Sequence, residues 1–519
     1  MMRWKWPGRR EPSAEVEPVP SAPAERDAWL LLRLGELGGW SGAHAALRLR
    51  GLVDSLSMAE RVRVDERIRE QLARTWSGLP ACLKTPEHAA RLTLREGTEA
   101  AVLGLVAAAP NGYVREAAVR RLALLGGGDE LPPLLIRAND WVAPVRQRAL
   151  DALHARVVPA YTPHWVRALG LVVRLRGTQR GAAGPLMDAV LELLRGDDAR
   201  AAVLEGLYLP DRAASRACYT ILLRPGAPEL EDAVLRALGS DDVVVRREAA
   251  RAAPRLDDRA LAKLLPRMMA DASVRVRMMA VETAAERMGL DALPLLTDGL
   301  LDRGAAVRAH ARAIVTRQGA MDFAAFYRDG IAAHAPRLAE HVMGLGETGT
   351  AADGPLLRAL AAHPRPRVRV AAIRALARLD GDASASLFAV TLGSVSAGVS
   401  RAAGDALQGR ARLADAAVLA SGLDAGHPLH VRRNTLRLLA WSGKWDGLDW
   451  ILRARVDPDP CIRQAAAGHL ERWRRRFNRT FTQPTPAQRE RIALAFAAAA
   501  PELDVGMVKW LRFAAGIGP

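Results

Sequence analysis

Residues 271–302 read DASVRVRMMAVETAAERMGLDALPLLTDGLLD, and this stretch contains the pattern that decides the fold. Apolar residues at helical spacing follow Arg277, a break comes at Gly289, and a second apolar run starts at Leu293. Two helices and two turns fit this length at ordinary helix lengths. The stretch therefore predicts one pair of helices, and the next stretch opens in the same way around Arg308.

The same pattern returns along most of the chain. Eleven arginines, most of them behind a small or branched apolar residue, are separated by 31, 70, 30, 31, 31, 29, 32, 32, 31 and 31 residues. They are Arg115, Arg146, Arg216, Arg246, Arg277, Arg308, the weaker copy Arg337, Arg369, Arg401, Arg432 and Arg463. A fixed period of this size is typical of one supersecondary unit copied many times. The sequence predicts an all-α, right-handed α-solenoid of about 12–14 antiparallel helix pairs.

Aspartates precede four of these arginines by six residues. They are Asp140, Asp271, Asp302 and Asp457. An aspartate just before a helix can cap the free N–H groups of its first turn, and its charge suits the helix dipole. The arginine, one turn inside the helix, can reach an aspartate of its own or the next repeat. We therefore expect a structural ladder of Arg–Asp pairs that sets the register between repeats and leaves its arginines unavailable to outside ligands.

The pattern Asp-x-x-x-x-Val-Arg-x-x-Ala-x-x-x-Leu resembles the HEAT-repeat superfamily, in its short bacterial form also called the phycobilisome-lyase-like repeat. The resemblance covers roughly residues 111–475, and 27–108 only weakly. It implies antiparallel helix pairs, an Asp–Arg ladder between repeats, and a concave face of second helices that usually binds proteins. The chain departs from the pattern across 155–210. It also departs at five arginines that no aspartate precedes by five or six residues, namely Arg115, Arg337, Arg369, Arg401 and Arg432.

Composition suggests four segments. Residues 1–26 carry five prolines and alternating charge without an apolar face, so we predict a disordered tail. Residues 27–108 are predicted to be degenerate repeats or an N-terminal cap. The repeat array is predicted at 109–479, with an irregular section at 155–210, and a C-terminal helical cap at 480–519.

The chain is strongly basic, with a formal net charge of +17, and only five of its 74 cationic residues are lysine. The arginine excess suits an acidic protein or a nucleic acid, or it reflects codon bias. The three cysteines are far apart, and no secretory signal is recognisable. The sequence also has no uncharged apolar stretch of 18 residues, the length needed for a membrane-spanning helix. We predict a cytoplasmic bacterial protein without a membrane span, a metal or another cofactor.

The highest density of positive charge lies near the C-terminus. Residues 427–519 contain 16 Lys or Arg and 8 Asp or Glu. The centre of this region alternates arginines with aromatic residues, and the candidate binding patch consists of Arg472, Arg474, Arg475, Arg476 and Arg479. Helical spacing places the intervening Trp473 and Phe477 on the face of the core, which makes the arginines a solvated surface. Alternatively, arginines and aromatics together could bind single-stranded nucleic acid.

No motif indicates catalysis. The sequence has no HExxH, no phosphate loop and no Gly-x-Ser-x-Gly. The fold resemblance also offers alkylpurine-glycosylase chemistry as an alternative, but its candidate Asp140, beside Trp141, is already explained structurally. The other candidates for this chemistry are Trp445, Asp446, Asp449 and Trp450. We predict a non-catalytic scaffold or adaptor that binds a protein along the concave face. The alternative is a nucleic-acid-associated protein that uses the C-terminal patch.

Overall fold

The computed structural model describes residues 42–74, 81–176, 184–319 and 321–518. The tail predicted at 1–26 and parts of the segments predicted at 27–108 and 155–210 lie outside the described residues. Every regular element in the described ranges is an α-helix or a short 3-10 helix. The chain divides into two compact units, of which the first ends at Leu264 and the second starts at Leu265.

The first unit alternates motif helices, which carry a ladder arginine, with companion helices. Its motif helices are α6, α8, α12 and α14. In chain order the helices are α1 (Gly42–Ser55), α2 (Met58–Arg74), α3 (Ala81–Lys84), α4 (Pro86–Arg91), α5 (Glu99–Val106), α6 (Gly112–Leu122), α7 (Leu131–Arg137), α8 (Ala143–His154), α9 (Thr162–Arg176), α10 (Gly184–Arg195), α11 (Arg200–Gly206), α12 (Arg212–Leu222), α13 (Leu230–Leu238) and α14 (Val243–Ala252); α15 (Asp258–Met269) spans the unit boundary.

The second unit follows the same alternation more regularly. Its helices are α16 (Val274–Arg287), α17 (Leu293–Leu300), α18 (Ala305–Gln318), α19 (Phe323–Ala332), α20 (Leu338–Thr348), α21 (Gly354–Leu360), α22 (Pro366–Leu379), α23 (Ala385–Leu392), α24 (Ala397–Ala406), α25 (Ala416–Ser421), α26 (Leu429–Leu439), α27 (Lys444–Arg455), α28 (Pro460–Arg476), α29 (Pro486–Ala499) and α30 (Val505–Ala515). The helix pair predicted from residues 271–302 is α16 and α17.

Each motif helix packs against its companion and against the motif helix of the next repeat. In the second unit, α16 contacts both α17 and α18, and α22 contacts both α20 and α21. The buried stripe of α16 contains Val276, Ala280, Val281 and Ala284, which are spaced so that they share one face. A single helix pair would leave such a stripe in water, so stacking of repeats supplies the core. The fold is an all-α solenoid of helix pairs.

The section at 155–210 departs from the regular alternation through one long helix. Helix α9 contacts the companion helix α7, the motif helix α12 and the early helix α2. Its Trp165 is fully buried, and the indole Nε1 donates to the carbonyl oxygen of Arg156 at 2.8 Å. This section lies in the interval of 70 residues between Arg146 and Arg216, which is longer than two repeats.

The last two helices close the second unit with a bulky core. Helices α29 and α30 lie within residues 480–519, the segment predicted as a helical cap, and their buried residues include Ile492, Phe496 and Leu511. These residues pack with Leu448 and Leu452 of α27 in one apolar cluster. The cluster covers the open face of the final repeat, which would otherwise expose apolar surface. The domain limits at 27–108 and 109–479 remain predictions.

Among the helices of the described ranges, none combines the length and the apolar character needed to cross a membrane.

Candidate binding surfaces

The ladder arginine of each repeat joins two neighbouring repeats. Arg277 donates from Nε and Nη2 to the two carboxylate oxygens of Asp302, at 2.8 and 3.0 Å. Its Nη1 donates to the carbonyl oxygens of Asp271 and Ala272, at 2.8 and 3.1 Å. The side chain thus reaches a carboxylate 25 residues ahead and a carbonyl 6 residues behind, two offsets that together span one period. Such a forked pair fixes distance and direction at the same time.

The same arrangement recurs in other repeats. Bonds to a carboxylate of the following repeat are made by Arg115 to Asp140, Arg216 to Asp242, Arg277 to Asp302 and Arg432 to Asp457. In Arg308 the carboxylate acceptor is Glu347. Bonds from Nη1 to the carbonyl six residues behind are made by Arg115, Arg146, Arg246, Arg277, Arg308, Arg369 and Arg463. The backbone contact is therefore more regular than the ion pair.

Burial of the ladder arginines varies along the array. Four are buried, namely Arg115, Arg277, Arg308 and Arg432. Four are half-buried, namely Arg146, Arg246, Arg369 and Arg463. Arg216 is exposed although it is paired, and Arg401 is exposed. Most of the row is thus committed to groups inside the array.

One ladder assignment is corrected by the structure. Arg401 points to solvent, and the buried position after Val399 is occupied by Ser400. The Ser400 hydroxyl accepts a hydrogen bond from the side-chain amide of Asn434 in the next motif helix at 3.0 Å. Ser400 stands one period after Arg369, and the extra residue before Arg401 moves the arginine off the buried face.

The capping role expected for Asp140, Asp271, Asp302 and Asp457 is also wrong, whereas Asp211, five residues before Arg216, caps α12 by accepting from the N–H of Ala213 at 2.8 Å. Asp302 lies three residues before α18, and its carboxylate accepts from the backbone N–H of Gly304, at 2.6 Å, rather than from the helix itself. Asp140, Asp271 and Asp457 make the equivalent bond to the residue two positions ahead. The aspartate therefore stabilises the turn and orients a carboxylate toward the preceding repeat, where the arginine binds it.

The first rung is part of a larger buried cluster of charges. Asp140 accepts from Arg115 and also from Arg137 at 3.2 Å, and Arg137 in turn binds Asp65 of α2. Burial alone would raise the pKa of Asp140, but hydrogen bonds from Arg115 and from the N–H of Val142 and the nearby positive charges outweigh it and lower the pKa. The carboxylate is therefore ionised and fully engaged, which leaves no free oxygen to serve the base chemistry considered from the sequence.

Exposed apolar residues lie at or just before the start of several motif helices, and we call these positions the turn edge. In the first unit it includes Tyr113 and Tyr208, which are 74% and 77% exposed, and the half-exposed Trp141. The guanidinium of Arg115 lies 4.7 Å from the centre of the Trp141 ring. In the second unit Val395 and Val456 occupy the corresponding turns and are exposed. Exposed Tyr and Trp on a rigid support are residues that protein interfaces favour.

The five arginines of the predicted patch are all exposed on α28 and the short helix after it. Arg474 pairs with Glu471 on the same helix at 3.0 Å. Among the residues that the structure describes, no acidic partner lies within ion-pair distance of the other four, Arg472, Arg475, Arg476 and Arg479. The intervening Trp473 is buried, and its indole Nε1 donates to the carbonyl oxygen of Lys444 at 2.6 Å. The aromatics thus anchor the helix while the arginines stay in water.

Three of these arginines line a cleft of about 300 Å³ that we call the C-terminal cleft. Its lining residues are Ala440, Trp441, Gly443, Lys444, His469, Arg472, Trp473, Arg476, Phe477, Arg479 and Thr480. Arg476 stacks on the half-exposed ring of Trp441, with 4.3 Å between the guanidinium carbon and the ring centre. The Lys444 ammonium lies 3.9 Å from the centre of the Phe477 ring. Within the described ranges the lining contains cations and aromatics but no carboxylate.

Titration of the neighbouring groups reflects this environment. Burial lowers the pKa of His469 to about 4, and the positive charges of Arg472 and Arg437 act in the same direction. Burial also lowers the pKa of Lys444, whose Nζ donates to the carbonyl oxygen of Thr480 at 2.7 Å. The imidazole is therefore neutral at physiological pH, and the arginines supply the charge of the cleft.

Trp441 and Lys444 were not chosen from the sequence, although a signal for them exists. They precede Arg472 and Arg475 by one repeat period, and successive repeats lie side by side. Residues one period before a basic run are therefore its neighbours in space. The sequence pattern places Trp473 and Phe477 on the buried face of their helix. It does not show that Trp441 and Lys444 lie opposite the arginines.

Another cavity lies in the first unit and has a volume of about 260 Å³. Small apolar residues of α5 and α7 form much of its wall. The charged residues of its lining are balanced in sign, namely Arg50, Arg61 and Arg167 against Asp54, Asp65 and Asp129. This balance selects neither an anion nor a cation.

Other residues that could take part in catalysis or bind a metal are ion-paired, buried or far from one another. Asp446 and Asp449, considered beside Trp445 and Trp450, both pair with Arg491. In the described part of the chain, no group of three or more metal-ligating side chains is placed to hold an ion. Burial raises the pKa of Cys82 to about 11 and that of Cys218 to about 12, so these thiols are unreactive at neutral pH.

Comparison with known proteins agrees with the repeat pattern. Residues 230–315 match the family model described as HEAT repeats, so the chain contains HEAT repeats. No curated protein matches the chain.

Solved structures to which the chain is similar include importin beta, which is 13% identical, with 94% of this chain and 84% of that chain covered at a TM-score of 0.39. Another is Kap95p, studied with RanGDP, which is 12% identical, with 88% and 74% covered at a TM-score of 0.35.

Proposed function

We propose that this chain of HEAT repeats is a non-catalytic adaptor that binds a protein partner. The proposal rests on the repeated ladder geometry together with the exposed apolar residues of the turn edge. Most ladder arginines are used inside the array, while an exposed apolar residue stands at or just before the start of several motif helices. A rigid support that presents separate aromatic side chains is suited to protein recognition and supplies no reacting group.

Two surfaces can supply the contact. The first is the exposed face of the motif helices, which in the first unit includes Arg120, Gln147 and Asp151. That face carries mixed charge, so it would bind through shape and scattered polar contacts. The turn edge carries Tyr113, Trp141 and Tyr208, whose large rings lose little conformational entropy on binding. We favour the turn edge as the energetic centre of the interface.

The test compares capture by wild-type protein and by surface variants. Tagged wild-type chain is incubated with lysate of its own organism, and proteins retained in fixed ratio to the bait are measured by quantitative mass spectrometry. Replacing Tyr113, Trp141 and Tyr208 by Ala should reduce retention of the partner by at least about tenfold, because buried aromatic anchors dominate interface energies. Leu124→Ala is the matched control, since Leu124 is exposed but follows α6 instead of preceding a motif helix.

The outcome decides between adaptor and other roles. Loss of one retained protein in the aromatic variant, with retention kept in Leu124→Ala, supports the proposal. If the wild type retains no protein above the aromatic variant, the adaptor function is wrong. The alternative predicted from the sequence, association with nucleic acid, concerns a different surface.

A further inference from the structure

We infer that the C-terminal cleft is a binding site for single-stranded nucleic acid. In this assignment Arg472, Arg476 and Arg479 bind phosphate oxygens, and Trp441 offers its ring to an unpaired base. The site goes beyond the adaptor function and does not depend on it, because none of its residues belongs to the turn edge in the first unit.

The positive charges of the C-terminal cleft have no negative side chain beside them in its described lining. Ladder arginines such as Arg277 have carboxylate and carbonyl acceptors, whereas Arg472, Arg476 and Arg479 converge on one cleft without an acidic side chain in the described part of the chain. Converging like charges repel, and they raise the local concentration of anions. A phosphate-bearing ligand would relieve this repulsion, and guanidinium groups match phosphate geometry.

The position of Trp441 also favours a single-stranded ligand. Its ring is 52% exposed, and one face is covered by the guanidinium of Arg476. The same ring also lines an adjoining cleft of about 710 Å³, whose lining includes Arg412, Trp450, Arg437 paired with Asp405, and Asp446 paired with Arg491. Trp441 therefore stands between two openings, of which only the C-terminal cleft has no carboxylate in its described lining. Cationic grooves with aromatic platforms at intervals are the arrangement by which proteins hold single strands without reading sequence.

The size of the C-terminal cleft also favours a single-stranded ligand. The C-terminal cleft, at about 300 Å³, is on the scale of a pocket for one small ligand or one nucleotide. A duplex hides its bases and cannot insert one into such a cleft without unpairing it. An acidic peptide would neutralise the arginines but would make no use of the exposed indole. The single strand uses both features.

Binding is measured by fluorescence anisotropy of a labelled 12-nucleotide single-stranded DNA with the full-length chain at several salt concentrations. Arg476→Glu should weaken binding by about tenfold or more and reduce the slope of log K against log salt by about 0.7, the value per phosphate contact on a single strand. Arg475→Glu is the matched control. It makes the same charge change one residue away on the same helix, but Arg475 does not line the cleft. It should have a clearly smaller effect.

The stacking contribution is tested separately with Trp441→Leu. Loss of one base–aromatic stack should weaken binding by about 5-fold to 100-fold, with little change of the salt slope because no charge is removed. Phe481→Leu is the control, because Phe481 is 94% exposed nearby but lies outside the cleft lining. Thermal unfolding followed by circular dichroism shows whether each variant keeps the wild-type fold.

Competition by unlabelled ligands decides the class of ligand. Displacement by single-stranded DNA or RNA, with much weaker displacement by duplex DNA and by polyglutamate, supports the assignment. Equal displacement by polyglutamate would make the cleft a site for acidic proteins, and equal displacement by duplex would make it a general phosphate-binding surface. Either result overturns the proposal, and so does an equal effect of Arg475→Glu and Arg476→Glu. Failure here would leave the adaptor proposal untouched.

Discussion

At the scale of single residues, the ladder depends on the number of donors in a guanidinium group. Arg277 uses Nε and Nη2 for one carboxylate and keeps Nη1 for two carbonyl oxygens of its own turn. Lysine could not replace it, because an ammonium group presents no planar fork to a carboxylate. The residue therefore determines both the structure of its own turn and the position of the next repeat.

Removal of a buried rung should cost more than removal of an exposed one. Arg277 and Arg216 make the same forked pair, but their side chains are 3% and 43% exposed. Arg277→Ala leaves the buried Asp302 without its partner, so we expect a loss of about 3–5 kcal/mol in the free energy of unfolding. Arg216→Ala should lose no more than about 1 kcal/mol, because water solvates Asp242 in its place. Urea denaturation of both variants measures the difference, and equal losses would mean that the ion pairs do not stabilise through burial.

The histidine of the C-terminal cleft should make stability depend on pH. The pKa of His469 is lowered to about 4 from an ordinary 6.5. Between pH 4 and pH 6.5 this histidine is therefore protonated in the unfolded chain and neutral in the folded chain. The free energy of unfolding should therefore fall as the pH decreases from 6.5 to 4, by up to about 3 kcal/mol from this group. His469→Gln should be less sensitive over the same interval. Thermal melts of both proteins at matched pH values test this, and identical pH profiles would contradict the buried neutral state.

At the scale of elements, close packing of motif helices depends on small residues. A methyl group added at Gly346 of α20 would lie 2.6 Å from the β-carbon of Ala375 in α22. Gly468 of α28 is also helical, but nothing lies within 4 Å of the corresponding position. The two glycines have the same helix propensity and different surroundings, so they separate packing from propensity.

These two positions should respond to alanine with opposite signs. Gly346→Ala should destabilise the protein by about 1–3 kcal/mol, because the two helices must move apart. Gly468→Ala should stabilise it by up to about 1 kcal/mol, since alanine favours the helix and meets no neighbour. Chemical denaturation gives both values. A stabilising effect at Gly346 would show that α20 and α22 are less closely packed than described.

Much of the order of helices and turns was predictable from the sequence, because the same pattern of residues recurs in each repeat. The helical character of residues 480–519 was predictable, since proline and aspartate mark where the two helices of this segment begin. The role of Ser400 was not predictable, because a one-residue insertion shifts which side chain faces inward. The turn formed by Asp302 was also missed, since spacing alone does not distinguish a helix cap from a turn three residues earlier.

The site was less predictable than the fold for a physical reason. The arginines of the patch form a run in sequence, so composition reveals them. Trp441 and Lys444 join them only because repeats stack, and the choice between a solvated face and a cleft depends on the opposite wall. Local periodicity describes one helix at a time and contains no information about that wall.

At the scale of the whole molecule, a repeat array has no single centre, and its ends determine how it begins to unfold. Each repeat is stabilised by its own core and by its neighbours, so a terminal repeat with an uncovered face is the weakest part. In the second unit that face is covered by α29 and α30. The cap therefore affects the stability of the repeats before it.

The cap should be tested by two phenylalanines of the same segment. Phe496 is buried in the terminal cluster, and Phe513 is 84% exposed on the neighbouring helix. Phe496→Ala removes a large buried side chain, so we expect a loss of about 3–5 kcal/mol and earlier binding of a hydrophobic dye during thermal unfolding. Phe513→Ala should change stability by no more than about 0.5 kcal/mol. If both variants behave alike, the two last helices do not seal the array and the final repeats must be stable without them.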